Sequence, residues 1–144
     1  WGIDAPGAGL VTLPGGRLLA RIVVGKERDW TQSATPEQQL FWTTRYPSRC
    51  LVPLMRLVKE TQRLDLGAIT VPTLVLYSPA DPVISPQAVL EGFEELGAPN
   101  KALQPVTSST DPSQHVLTGR VLSPGNLAEV EGYILAFLTP LIGL

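Results

Sequence analysis

Two residues of this chain have the types and the order that acid–base chemistry needs: Asp81 and His115, the only histidine present. Asp81 lies in Ser78-Pro-Ala-Asp81-Pro, just past the apolar run Thr73-Leu-Val-Leu-Tyr77, and His115 follows one helical and one strand-like segment further on. A carboxylate paired with an imidazole fixes the ring tautomer and stabilises the imidazolium formed when a nucleophile gives up its proton. Such a pair needs a third member. Ser78, Ser108, Ser109, Ser113 and Ser123 all lack the strained strand-to-helix setting that exposes a nucleophilic hydroxyl, and no Gly-x-Ser-x-Gly occurs in the sequence. Cys50 has no basic neighbour in sequence and is expected to be a small buried hydrophobe. Asp111 is a competing acid, but it shares a loop with His115 instead of standing at a strand tip. From the residues alone, ordinary roles also fit, with Asp81 forming a turn and His115 sitting on a surface loop.

The elements that must position the pair can be read from the pattern. Residues 73–77, bounded by Pro72 and Ser78-Pro79, form a short apolar run of the kind covered on both faces in a parallel sheet. In such sheets chemistry collects beyond the carboxyl ends of the strands, where Asp81 would stand. Ser85-Pro86 supplies a capping residue and a first-turn proline for a helix with Val89, Phe93 and Leu96 on its inner face and Gly97 at its end. A second strand is expected over 101–107, then a polar loop over 108–114. Asn126-Leu-Ala-Glu129 is a capping signal for a last helix, with Val130, Ile134, Phe137 and Leu138 inward and its end near Thr139-Pro140.

The segment Ile69-Thr-Val-Pro-Thr-Leu-Val-Leu-Tyr-Ser-Pro-Ala-Asp81-Pro-Val, with the helix, strand and His115 loop after it, resembles the C-terminal portion of an α/β-hydrolase of esterase or lysophospholipase type. The resemblance implies an α/β fold of parallel strands flanked by helices. Residues 1–64 would form a helical cap or lid, and residues 65–144 the C-terminal part of the core. It further implies that Asp81 and His115 are the acid and the base of a triad. The nucleophile elbow and the remaining strands would lie in an N-terminal half upstream of Trp1. The implied activity is hydrolysis of a carboxylic ester or related acyl bond, without cofactor or metal. An aspartate nucleophile would instead imply dehalogenase or epoxide-hydrolase chemistry, and an absent one a binding or regulatory protein.

The first part of the chain is less legible. Residues 1–15 are rich in glycine and proline and read as an irregular connection, and Gly7-Ala8-Gly9 lacks the context of a phosphate loop. Residues 17–24 suggest a short helix with Arg17 and Arg21 on one face and Leu18, Leu19, Ile22 and Val23 on the other, either packed or serving as a lid. Thr35-Pro36-Glu37-Gln38 fits a capping box opening a helix to about Tyr46. A further helix from Ser48 would bury the stripe Leu51, Leu54, Met55 and Val58.

Composition narrows the class. A chain of 144 residues that is 44% hydrophobic, with mean hydropathy +0.15, has the makings of one globular domain. Its net charge of −2 and pI near 5.3 argue against a nucleic-acid partner. One cysteine makes no internal disulfide and no zinc site. The apolar tail from Tyr133 falls short of the roughly 20 residues of a membrane span. The compartment stays open. With no Arg or Lys pair placed to clamp an anion, the expected substrate is an uncharged, apolar acyl chain.

Overall fold

The computed structural model describes residues 13–143. They divide into two compact units, one ending at Arg63 and the other starting at Leu64. Among the described residues there are five α-helices and two two-stranded sheets, one of them parallel, a mixed α/β arrangement. No helix among them is long and apolar enough to cross a membrane.

The first unit holds α1 (Gly16–Val24), β1 (Glu27–Asp29), α2 (Pro36–Phe41), β2 (Arg45–Pro47) and α3 (Leu51–Thr61). The expected capping box opens α2: Thr35 Oγ1 accepts the Gln38 N–H, and Gln38 Oε1 accepts the Thr35 N–H. The helix ends at Phe41, short of Tyr46. Trp42 takes extended angles (φ −116°, ψ 146°), and the aromatic and β-branched run Trp42-Thr43-Thr44 leads into β2. There Arg45–Pro47 pairs antiparallel with Glu27–Asp29, and Arg45 Nε donates to Glu27 at 2.6 Å. This hairpin-like pairing went unseen in the sequence because each strand has only three residues and α2 lies between them.

Burial in this unit departs from the packed alternative for α1 and from the stripe expected of α3. Ile22 is 70% exposed, and Leu18 and Val23 are exposed with it, so the apolar face of α1 is not packed there. In α3 the buried residue is Val52; Leu51, Met55 and Val58 are half-buried and Leu54 is exposed. Val52 is not part of the stripe that periodicity favoured but lies one residue after Leu51.

In the second unit β3 (Thr73–Tyr77) pairs in parallel with β4 (Lys101–Pro105), Thr73 opposite Lys101 and Tyr77 opposite Pro105. All five residues of β3 are half-buried, not covered on both faces, because β4 is its one strand neighbour among the described residues. Strand β4 stops at Pro105, two residues earlier than expected. Proline lacks a donor, and the ladder closes with Val106 N–H donating to the Tyr77 carbonyl at 2.8 Å.

Between the strands runs α4 (Pro86–Glu95), capped by Ser85 Oγ accepting from Ala88 N–H. Gly97 does not end this helix through left-handed backbone. A Cβ at Gly97 would lie 1.9 Å from the Gly67 carbonyl oxygen, so glycine is needed for close approach of two backbone segments. Lys101 Nζ closes the other end of α4 by donating to the carbonyls of Phe93, Glu94 and Leu96 while lying 4.9 Å from the Phe93 ring centre.

The last helix, α5 (Leu127–Ile142), runs through Pro140 instead of stopping there, and Gly143 follows in left-handed conformation. Its expected cap is absent. The Asn126 side chain is buried and bonds Ser123 and the Leu117 carbonyl, leaving the first turn of α5 without a side-chain cap.

Candidate active site

Because β3 and β4 run parallel, the loops that follow them leave from the same end of the pair. The β3 loop is held from within. Buried Ser78 accepts the Ala80 N–H on its hydroxyl and the Asp81 N–H on its carbonyl, so the chain turns directly after the strand. The turn aims Asp81 back over its own successors, and Oδ1 accepts the N–H groups of Val83 (2.7 Å) and Ile84 (3.0 Å). The carboxylate is therefore fixed before any partner is considered.

The structure brings the two sequence-derived residues together: His115 Nδ1 lies 2.9 Å from Asp81 Oδ2 and 3.2 Å from Oδ1. The Asp81 side chain is 9% exposed and that of His115 is 38% exposed, an enclosed acid beneath an accessible ring. Burial pushes the Asp81 carboxyl pKa up, but the Ile84 N–H, the His115 ring and the Val83 N–H together hold it below its ordinary value. An ionised carboxylate only accepts, so the proton of this bond sits on Nδ1, and in the neutral ring the lone pair is then the one on Nε2.

The His115 loop is fixed by a polar network. The expected polar loop over 108–114 is a set of buried bonds: Ser109, Asp111, Ser123 and Asn126 are all buried, Ser123 fully. Ser123 Oγ donates to Asn126 and accepts from Thr110 N–H; Ser109 Oγ donates to the Val116 carbonyl. Ser108 and Tyr133 both donate to Glu129, tying the loop's start to α5.

Asp111, the competing acid, makes no bond to the ring. Its carboxylate accepts Ser113 N–H and hydroxyl, His115 N–H and Val116 N–H, and so anchors the loop backbone. That role was missed in the sequence, although Asp111-Pro-Ser113 is a turn signature that points to it.

Other candidates are placed as follows. Ser78, Ser109 and Ser123 are buried in the loop networks, and Asp81 is the hydrogen-bond partner of the His115 ring among the described residues. Cys50 is exposed, contrary to the buried role expected; in the turn that opens α3 the buried residue is Ser48. Among the described residues, no group of three or more His, Cys, Asp or Glu could hold a metal ion. Gly7-Ala8-Gly9 and the side chains of Arg17 and Leu19 lie outside what the structure describes.

Two clefts stand out. In the second unit a groove of about 350 Å³ is lined by Thr118, Leu127, Val130, Glu131, Ile134 and Leu135, beginning three residues beyond His115. In the first unit Arg21, Lys26 and Arg49 gather with Glu27 around a cleft of about 500 Å³. Sequence spacing gave no sign of that gathering, because it depends on the pairing of β1 with β2 and on the Ser48 bonds to the Lys26 carbonyl. No family model, curated protein or solved structure matches the chain.

Proposed function

We propose that this chain supplies the acid and the base of an α/β-hydrolase that cleaves a carboxylic ester or related acyl bond. The observation that carries the reading is the 2.9 Å hydrogen bond between Asp81 and His115, made by loops leaving the same end of a parallel strand pair. Nε2 takes the proton of a nucleophilic hydroxyl as its oxygen bonds the acyl carbon. Asp81 stabilises the resulting imidazolium, and the proton passes to the leaving alcohol as the ester C–O bond breaks. Water then attacks the acyl-enzyme by the same path. In this reading the nucleophile and its share of the oxyanion hole come from outside these 144 residues, β3 and β4 are part of a larger sheet, and residues 1–64 form the cap.

An uncharged, apolar acyl chain is the proposed substrate. The mostly apolar groove along α5, lined by Leu127, Val130, Ile134 and Leu135 of the same unit, favours it, and its volume falls in the range of small-ligand sites. The test is hydrolysis of p-nitrophenyl acetate, p-nitrophenyl octanoate and an anionic acyl ester by protein that includes the nucleophile. The octanoate is expected to be turned over best. Preference for the anionic ester would contradict the substrate. The 144 residues alone are expected to resist labelling by a serine-directed phosphonate. Labelling of a serine within them would overturn the assignment of the nucleophile.

A further inference from the structure

Gln114, the residue before His115, has φ 56°, the one positive φ outside glycine among the described residues. Left-handed backbone brings Cβ too close to the following carbonyl oxygen in an L-residue, and glutamine is not among the residues that adopt it readily. Here the side chain offsets that strain. Nε2 donates to the carbonyl oxygens of Ser109 (2.9 Å) and Asp111 (3.2 Å), and the Gln114 N–H donates to the same Asp111 carbonyl at 2.9 Å.

The reversal has a directional consequence. It turns the next two N–H groups back onto one oxygen, Asp111 Oδ2, which accepts from His115 at 3.0 Å and from Val116 at 2.8 Å. With its backbone fixed there, the imidazole reaches the Asp81 carboxylate. A helical or extended φ at 114 would swing both N–H groups off Asp111 and carry the ring away from Asp81.

We propose that Gln114 is a positioning residue: its amide holds the left-handed turn that aims the His115 ring at Asp81, with Asp111 as the anchor. The inference rests on reading Asp81 and His115 as an acid–base pair. Strain of this kind persists only where the surroundings impose it, and it concentrates at sites whose geometry matters.

His115 is the one histidine, so the 144-residue chain labelled with ¹⁵N at histidine reports a single imidazole. The parent is expected to show the Nδ1–H tautomer with a downfield, slowly exchanging proton. Gln114→Glu keeps the length but cannot donate to the two carbonyls, and it should lose that proton and mix the tautomers, as should Gln114→Ala. Gln114→Gly adopts positive φ freely and should retain the signal. Amide exchange of β3 and β4, read in the same samples, should stay protected in all three variants. Glu and Ala variants with the parent's spectrum would overturn the proposal. So would loss of the proton in the Gly variant, or its loss together with strand protection in every variant. A parent chain whose β3 and β4 amides are protected but which lacks the Nδ1 proton would overturn the acid–base reading itself, before any variant is compared.

Discussion

At the residue scale the two aspartates of this unit do different work, and their hydrogen bonds separate them. Asp81 shares its carboxylate between its own loop and the ring, whereas Asp111 gives all of its acceptor capacity to Ser113, His115 and Val116. Burial pushes the Asp111 carboxyl pKa up, but the Ser113 hydroxyl and the N–H groups of Val116, Ser113 and His115 hold it below its ordinary value of 3.8. A depressed carboxyl stabilises the fold above that ordinary value, and the stabilisation is lost as pH falls through the lower, folded value. Asp111→Asn should therefore cost about 1–3 kcal/mol at neutral pH. Its urea midpoint should fall less than the parent's as the medium is acidified below about pH 5. Parallel pH profiles of the two midpoints would show that the carboxylate is not the anchor. The pairing of Asp81 with His115 was legible through the family resemblance of the segment from Ile69 onward, since from the residues alone a turn aspartate and a surface-loop histidine fitted as well. Gln114 was not, since nothing in its type announces left-handed backbone.

At the scale of elements, local chemistry was legible where a short-range bond decides it and hidden where a distant segment does. The caps of α2 and α4 and the bounds of β3 follow from Thr35-Pro36, Ser85-Pro86 and the prolines and serine flanking the strand. The early end of α2, the uncapped start of α5 and the reason for Gly97 all depend on partners far away in sequence: β1, Leu117 and Gly67. Gly97→Ala should be costly even though the position is exposed, because the new methyl meets backbone instead of a movable side chain. A loss of about 1–3 kcal/mol in denaturant melts is expected, as for overpacked sites. An unchanged midpoint would show that the 66–68 turn shifts freely. Lys101→Met removes three bonds to the last carbonyls of α4. It should lower stability by about 1–2 kcal/mol and raise amide exchange at the end of that helix first. Uniform exchange along α4 would contradict the capping role.

For the whole molecule, two half-buried parallel strands bear on what the chain belongs to, since parallel sheets are stable when both faces are covered. The proposal of a larger α/β-hydrolase sheet accounts for that exposure and for the placing of Asp81 and His115 at one end of the strand pair. In the first unit the apolar residues Leu18, Ile22, Leu40 and Phe41 are exposed. The central claim is that the Asp81–His115 bond drives acyl transfer, and the most direct measurement is the turnover of p-nitrophenyl octanoate by nucleophile-containing protein with Asp81 and with Asp81→Asn. The substitution keeps the shape of the side chain while removing its charge, so a triad acid should show a loss of about 10⁴-fold. A loss of less than about tenfold would contradict the account, because a base that works without this carboxylate is not oriented by it.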